Sequence, residues 1–268
     1  MAATSNTYAP VKSASAAIFT AHDMGFAGAP TKHPMCKLVR QGLKRRFGLR
    51  LVNRKEPLAS ELVVAFAECF ANVDSPLVHL MLATFVSLCF AGFLRYSDAI
   101  IVYADEVKFY ATHMEIFLET RKNDQYRFGN VIVIARGSTP ACPCTLVSRL
   151  MGAAGIRGRH VPLFQKFDGN SKNKRGLHEL HGTAISYSQA RYHVLRYLAK
   201  VAGIPVVEAT ALYGLQSMRS GGATKAAAAD VADRLFQQHG CWRSEKVKDG
   251  YVADPLAARL SVTEALGY

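Results

Sequence analysis

The uncharged apolar run from Leu80 to Leu94 is the feature that most constrains the fold of this chain. It is shorter than the about 20 apolar residues that a membrane-spanning helix needs, so it predicts a buried helix. Ser75 and Pro76 precede the run and predict an N-cap and a first helical position. The run stops at Arg95, where the helix has to leave the core.

Composition limits the class of protein. A chain of 268 residues can form one large domain, or one domain with a short appendage, and a content of 50% hydrophobic residues argues against disorder throughout. The six cysteines are scattered, which predicts a reducing compartment. Cys142 and Cys144 have one residue between them, fewer than zinc sites use, so we interpret them as structural. The N-terminus lacks the pattern of a signal peptide, and no membrane partner is expected.

The chain is strongly basic, with a net charge of +13 and a pI near 9.6. Between Lys37 and Lys55 there is no acidic residue. The bases of this stretch are Lys37, Arg40, Lys44, Arg45, Arg46, Arg50, Arg54 and Lys55. Such a cluster favours binding of a DNA or RNA phosphate backbone, and a solvated face that only aids solubility is the alternative.

Three short runs have strand character: Glu106 to Tyr110, His113 to Glu119, and Asn130 to Ala135. Turn-forming residues between the second and third predict a hairpin with Lys122 at its tip. The sequence therefore predicts a small antiparallel sheet. From spacing alone, Lys122 is equally an ordinary exposed turn lysine.

Other segments predict helices and one loop. The helical predictions are Val11 to His22, Leu58 to Ala71, Cys144 to Ala154 and Tyr187 to Ala202. The polar stretch from Lys166 to His181 predicts a loop.

The stretch from Gln216 to Tyr251 carries the residues of most chemical interest. Arg219 lies among small residues, Trp242 is the only tryptophan, and Tyr251 ends the stretch. An arginine that clamps a phosphate, an indole that donates a hydrogen bond and a phenol that acts as nucleophile would form a phosphoryl-transfer site.

These residues together resemble the tyrosine recombinase (phage-integrase) family, from about Pro57 to Tyr251. The family pattern is an arginine followed three residues later by an acid, a hairpin lysine, a His-x-x-Arg element, a His or Trp, and a tyrosine nine residues after it. Arg95 with Asp98 resembles the first element and Lys122 the second. Arg219 resembles the second arginine, and Trp242 precedes Tyr251 by nine residues, since 251 minus 242 is 9.

The resemblance implies a mainly α-helical α+β fold, the tyrosine recombinase catalytic fold with a three-stranded antiparallel sheet, over residues 56–268. Residues 1–55 would form part of a helical core-binding segment and a basic linker. The implied activity is that of a site-specific DNA recombinase or integrase that works through a 3′-phosphotyrosyl intermediate without a cofactor. The implied partner is double-stranded DNA, on which four copies would assemble through the tail from Pro255 to Tyr268.

The resemblance also assigns roles. Tyr251 would attack the scissile phosphorus, and Arg95 and Arg219 would bind the non-bridging oxygens. Lys122 would protonate the leaving 5′ oxygen, Trp242 and Gln216 would donate hydrogen bonds, and Asp98 would orient Arg95. The residues expected on the DNA backbone are Lys37, Arg40, Lys44, Arg45, Arg46 and Arg50.

Two departures from the family pattern leave alternatives open. The box histidine is replaced by Gln216, which cannot exchange a proton near neutral pH, and the segment before the catalytic domain is short, as in a truncated clamp or a fragment. One other candidate is therefore a catalytically impaired or domesticated DNA-binding protein of the same fold. A type IB topoisomerase-like enzyme, which uses a similar Arg, Lys and Tyr set, is the other. The segments SMRSGGAT and HGCWRSEKVKDGY resemble recombinases of eukaryotic mobile elements, DIRS-type or Crypton-like. A eukaryotic source would imply a nuclear location, and otherwise a cytoplasmic one with DNA.

Overall fold

The structure is a computed structural model that describes residues 7–25, 28–47, 54–119, 129–168, 180–229, 231–242, 244–253, 260 and 264. The chain divides into two compact units, Met1–Arg54 and Lys55–Tyr268. Of the helices within the described residues, none is both long enough and apolar enough to cross a membrane.

The first unit consists of helices α1 (Ala9–Met24) and α2 (Pro34–Phe47), which are joined through a short 3-10 turn at Pro30–Lys32. The predicted helix at Val11 to His22 is confirmed. The two helices are tied by a hydrogen bond of 2.8 Å from Arg40 Nη1 to Ser15 Oγ.

The second unit is built around helix α4 (Leu77–Ala91), in which every residue from Leu80 to Cys89 is buried. A helix without a polar face has to be covered on all sides. It is covered by α3 (Ser60–Phe70), α6 (Pro143–Ala153), α7 (Tyr187–Ala202) and α9 (Gln216–Ala228). The predicted buried helix is thus confirmed.

The predicted start of α4 is wrong by one residue. Pro76 is the N-cap, and the Ser75 hydroxyl donates to Asn72 Oδ1 at 2.8 Å. Ser75 therefore stabilises the turn before the helix and does not cap the helix itself.

The predicted three-stranded antiparallel sheet is confirmed. Its strands are β1 (Val107–Phe109), β2 (His113–Leu118) and β3 (Asn130–Ala135), with β2 in the centre. Ile116 pairs with Val107 on one side and with Ile132 on the other. The alternation of Met114, Ile116 and Leu118 places all three side chains in the core, because successive residues of a strand point to opposite faces.

The predicted loop from Lys166 to His181 is partly wrong. Its ends belong to a second antiparallel sheet formed by β4 (Gln165–Phe167) and β5 (Leu180–Ala184). Phe167 is buried in the core and the Gln165 carboxamide accepts a hydrogen bond from Gly182 N at 2.9 Å, so tertiary contacts order this polar stretch. Residues 169–179 between the two strands lie outside the described residues.

Four further helices complete the described part of the unit: α5 (Tyr96–Ala99), α8 (Val206–Leu212), α10 (Asp233–Gly240) and α11 (Glu245–Asp249). Arg50, Lys122 and nearly all of the tail from Pro255 to Tyr268 lie outside the described residues. What the sequence predicts for them stays a prediction.

Two adjacent glycines bring α9 against its neighbours. A Cβ atom on Gly221 would lie 2.1 Å from the carbonyl oxygen of Leu58, and one on Gly222 would lie 2.1 Å from the carbonyl oxygen of Phe90. Both obstacles are backbone atoms, which cannot turn away as a flexible side chain could. The small-residue segment around Arg219 is therefore required by the close approach of backbones.

We predict that Gly222→Ala destabilises the fold by about 1–3 kcal/mol or more, the usual cost of overpacking, and lowers the urea midpoint of unfolding. Alanine normally stabilises a helix interior relative to glycine by about 0.5–1 kcal/mol. A decrease in the free energy of unfolding would therefore show that the added methyl group overlaps its neighbours.

The matched control is Gly152→Ala in α6, where the nearest atom to the added Cβ is 3.8 Å away. A Gly222→Ala protein as stable as Gly152→Ala would contradict the packing described for α9.

Candidate active site

Arg95 and Asp98 lie where the chain leaves α4 and begins α5. The Asp98 carboxylate is buried, accepts a hydrogen bond from Arg95 N at 3.1 Å, and lies 3.7 Å from Arg95 Nη1. The contact that the three-residue spacing predicts is thus present. The Arg95 side chain is 17% exposed, which leaves the guanidinium held in place yet accessible to a ligand.

Arg219, on α9, is fully buried. Its Nη1 donates to the carbonyl oxygen of Phe93, and its Nη2 donates to that of Gly240 at 2.8 Å. A buried guanidinium is costly unless it is hydrogen-bonded, and these two carbonyls supply that compensation. Arg219 thereby joins the segment after α4 to the end of α10.

Trp242 follows α10 and is 4% exposed. Its ring centroid lies 4.8 Å from Arg219 Cζ and 5.0 Å from the ring centroid of Phe236. Gly240 provides the space, because a Cβ atom there would lie 2.1 Å from the indole ring.

The indole nitrogen of Trp242 is buried, and in the part of the chain that the structure describes it has no hydrogen-bond partner. A buried donor without an acceptor costs about 1–3 kcal/mol. Buried donors of this kind in native proteins call for an explanation, and an acceptor supplied by a ligand is one. The indole N–H is thus suited to donate a hydrogen bond to an oxygen atom of a ligand.

Tyr251 completes the group. Its ring centroid is 5.6 Å from that of Trp242, 4.6 Å from Arg219 Cζ and 5.9 Å from Arg95 Cζ. Arg95 thus meets three residues from a distant part of the sequence, Arg219, Trp242 and Tyr251, in one place. The N–H donors of a guanidinium lie in its plane, so the partly exposed Arg95 can bind a phosphate through them. Nη1 and Nη2 of the buried Arg219 already donate to the carbonyls of Phe93 and Gly240.

Gln216 is the first residue of α9 and is exposed. The three-residue spacing puts it on the same side of the helix as Arg219, one turn nearer the N-terminus. A carboxamide there can donate to a ligand at the edge of the cluster.

Lys122 lies in residues 120–128, outside the described residues, but the strands on either side of it are described. Asn130, the first residue of β3, donates a hydrogen bond from Nδ2 to Cys241 Sγ, and Cys241 is adjacent to Trp242. The start of β3, the strand that follows Lys122, therefore lies next to the cluster.

Of the expected DNA-backbone residues, the five that the structure describes lie on α2 in the first unit, and Arg50 lies outside the described residues. Lys37, Lys44, Arg45 and Arg46 are exposed. Arg40 is half-buried and is occupied by its hydrogen bond to Ser15, so it is a structural residue at least in part.

Three residues of the site are not expected from the sequence: Phe93, Phe236 and His239. Phe93 has a φ of 47°, in the left-handed region, and its carbonyl oxygen points to Arg219. The His239 ring lies 4.7 Å from that of Phe93 and its Nε2 is 2.8 Å from the carbonyl oxygen of Ala91. Because a carbonyl only accepts, Nε2 carries the proton. The contacts of Phe93 and His239 depend on the backbone conformation after α4, which no spacing of residues in the sequence indicates.

A comparison of the sequence with protein-family models finds no match, and a search of curated proteins finds none either. The structure, in contrast, is similar to solved structures of tyrosine recombinases. XerA recombinase is 15% identical with a TM-score of 0.56, and the match covers 82% of this chain and 66% of that one. XerH site-specific recombinase bound to palindromic difH substrate, in a post-cleavage complex, is 14% identical with a TM-score of 0.54, over 79% of this chain and 52% of that one.

The Tn1549 transposon integrase in complex with circular intermediate DNA is 13% identical with a TM-score of 0.54, over 96% of this chain and 79% of that one. The chain thus spans about half the length of the XerH chain and about two thirds of the XerA chain. Identities this low establish the fold alone. The mainly helical chain with its small antiparallel sheet has the fold of the tyrosine recombinase catalytic domain.

Proposed function

We propose that this chain is a site-specific DNA strand transferase, a recombinase or integrase, that cuts and rejoins DNA through a 3′-phosphotyrosyl bond. The observation that carries the proposal is the meeting of Arg95, Arg219, Trp242 and Tyr251 in one cluster. Two further findings support it: the basic composition, and a fold shared with a recombinase and a transposon integrase that were solved with DNA.

In the proposed reaction the Tyr251 phenol gives its proton to water and its oxygen attacks the scissile phosphorus. A new P–O bond forms to the tyrosine, and the bond to the 5′ oxygen breaks. Lys122 gives a proton to the leaving 5′ oxygen. The new phosphodiester retains the energy of the old one, so a second transesterification can rejoin the strands without a nucleotide cofactor.

The arginines stabilise the charge that accumulates on the non-bridging oxygens in the transition state. Arg95, oriented by Asp98, approaches from the accessible side, and Arg219 is fixed by its two carbonyl partners. The Trp242 indole N–H supplies a third donor. Preorganised donors in a site from which water is excluded typically contribute about 10²- to 10³-fold each to the rate.

The basic residues of α2 are proposed to bind the DNA backbone as part of a core-binding segment within residues 1–55. Its exposed members are Lys37, Lys44, Arg45 and Arg46. We also propose that the chain is related to the recombinases of eukaryotic mobile elements, which would place it in the nucleus. The segments SMRSGGAT and HGCWRSEKVKDGY support this relationship.

Gln216 favours one rival function, a DNA-binding protein that has lost catalysis. A glutamine can donate to a phosphate oxygen, but it cannot accept the proton that Tyr251 has to lose. The covalent protein–DNA adduct distinguishes the two functions, because a DNA-binding protein forms none.

We predict that the wild-type protein forms a covalent adduct with a suicide DNA substrate on a denaturing gel, and that Tyr251→Phe forms none. Phenylalanine keeps the ring that contacts Trp242 and Arg219, so DNA binding and the unfolding midpoint should not change. An adduct with Tyr251→Phe would refute the assignment of the nucleophile, and no adduct with the wild type would favour the DNA-binding rival.

We predict that Gln216→His accelerates adduct formation, because an imidazole can exchange a proton and general acid–base catalysis contributes about 10²- to 10⁴-fold. The rate should then depend on pH around the imidazole pKa of about 6.5. Gln216→Asn, which keeps a carboxamide, is the control. An identical pH profile for wild type and Gln216→His would show that no proton passes through this position.

We predict that deleting residues 255–268 spares binding to a single site and reduces assembly of four copies on DNA, because the tail carries Leu256, Leu260, Val262 and Leu266 and is proposed to dock on a neighbouring copy. Gel mobility and light scattering with paired sites measure both effects. Unchanged strand exchange by the truncated chain would refute the docking of the tail.

A further inference from the structure

The segment that carries Tyr251 is tied to the rest of the unit just before the tyrosine. The Lys248 ammonium donates a hydrogen bond to Asp233 Oδ1 at the start of α10 and lies 3.6 Å from Asp249 Oδ1. The Lys248 side chain is only 13% exposed, and its nitrogen lies 6.0 Å from the ring centroid of Phe236.

This ion pair is coupled to the tyrosine through the backbone. Tyr251 N donates to the carbonyl oxygen of Lys248 at 2.9 Å, so the position of Lys248 sets the direction of the turn at Tyr251. The hydrogen bond to Asp233 raises the pKa of Lys248, because it favours the charged ammonium.

A second tie follows the tyrosine. The backbone N–H of Ala253 donates to Thr224 Oγ1 at 3.1 Å. Thr224 belongs to α9, the helix that carries Arg219. The Ala253–Thr224 hydrogen bond thus connects the tyrosine segment to α9, which carries Arg219. The Lys248–Asp233 pair connects it to α10, which ends just before Trp242.

We infer that Thr224 and the Asp233–Lys248 pair are positioning residues for the nucleophile: they hold the backbone on both sides of Tyr251 so that its hydroxyl faces the phosphate bound by the arginines. This inference rests on the proposed function and deepens it. The two ties are only five residues apart, since 253 minus 248 is 5, and a segment this short has little freedom once both ends are held.

The expected effect is kinetic. Misplacing a reacting group by about 1 Å can cost about 10²-fold in rate. Neither Thr224 nor Asp233 reaches the reacting atoms by a contact that the structure shows, so their loss should reduce the reactivity of Tyr251 and spare the arginine pocket.

The first experiment compares Thr224→Val with Thr224→Ser in single-turnover adduct formation on the suicide substrate. Valine has nearly the same shape as threonine but no acceptor, whereas serine keeps the hydroxyl. Thr224→Val should slow adduct formation by about 10- to 10²-fold, and Thr224→Ser should stay within about 3-fold of the wild type. Equal rates for the two variants would overturn the role of Thr224.

The same comparison applies to the ion pair. Asp233→Asn removes the charge that attracts Lys248, and Asp233→Glu keeps it. A slower rate with Asp233→Asn than with Asp233→Glu supports the inference, and equal rates overturn the role of the pair.

A second readout separates positioning of the tyrosine from damage to the pocket. In a Tyr251→Phe background, hydrogen peroxide can replace the phenol as nucleophile: a peroxide oxygen bonds to phosphorus, the bond to the 5′ oxygen breaks, and the 5′ oxygen takes a proton. Thr224→Val should leave this peroxide-dependent cleavage within about 3-fold of the Tyr251→Phe parent. A loss equal to that of adduct formation would overturn the inference, because the defect would then lie in the pocket.

Failure of the inference is distinct from failure of the proposed function. If the wild type forms the adduct and Thr224→Val forms it equally fast, only the positioning role is refuted. If the wild type forms no adduct, the proposed function fails, and the inference fails with it.

Discussion

The buried guanidinium of Arg219 is the interaction on which the rest of the candidate site depends. It donates to the carbonyl oxygens of Phe93 and Gly240, and its Cζ lies 4.8 Å from the ring centroid of Trp242 and 4.6 Å from that of Tyr251. A cation without exposure needs all of these partners in place, since losing one leaves a buried charge poorly compensated. One side chain thus ties together the exit of α4, the end of α10 and the tyrosine segment.

That junction is possible only because backbones approach closely. Gly221 and Gly222 let α9 lie against Leu58 and Phe90, and Gly240 leaves room for the indole of Trp242. The left-handed conformation of Phe93 turns its carbonyl oxygen toward Arg219. The geometry of the cluster is therefore set by three glycines and by the backbone conformation of Phe93.

The aromatic residues around Arg219 belong to a small hydrophobic group that is separate from the main core. Phe93, Ala223, Phe236 and Trp242 form a small buried group against which Tyr251 packs, while the main core surrounds α4. Small satellite clusters open at lower free energy than the main core does. The hydrogen bonds at Thr224 and Lys248 thus hold the chain beside the smaller of the two buried groups. This gives a physical reason for ties on both sides of the nucleophile.

The sequence by itself determined that the run from Leu80 to Leu94 carries a buried helix, which the structure bounds at Leu77–Ala91. It also determined the small antiparallel sheet of three strands and the contact between Arg95 and Asp98. These features depend on hydrophobic periodicity and on spacing within one helical turn, which are local properties. Only the tertiary structure decided that the ends of the polar stretch from Lys166 to His181 form a sheet, that Arg219 is fully buried, and that Phe93 and Gly240 hold it. These features depend on contacts between residues distant in sequence and on backbone angles, and neither leaves a periodic signal in the chain.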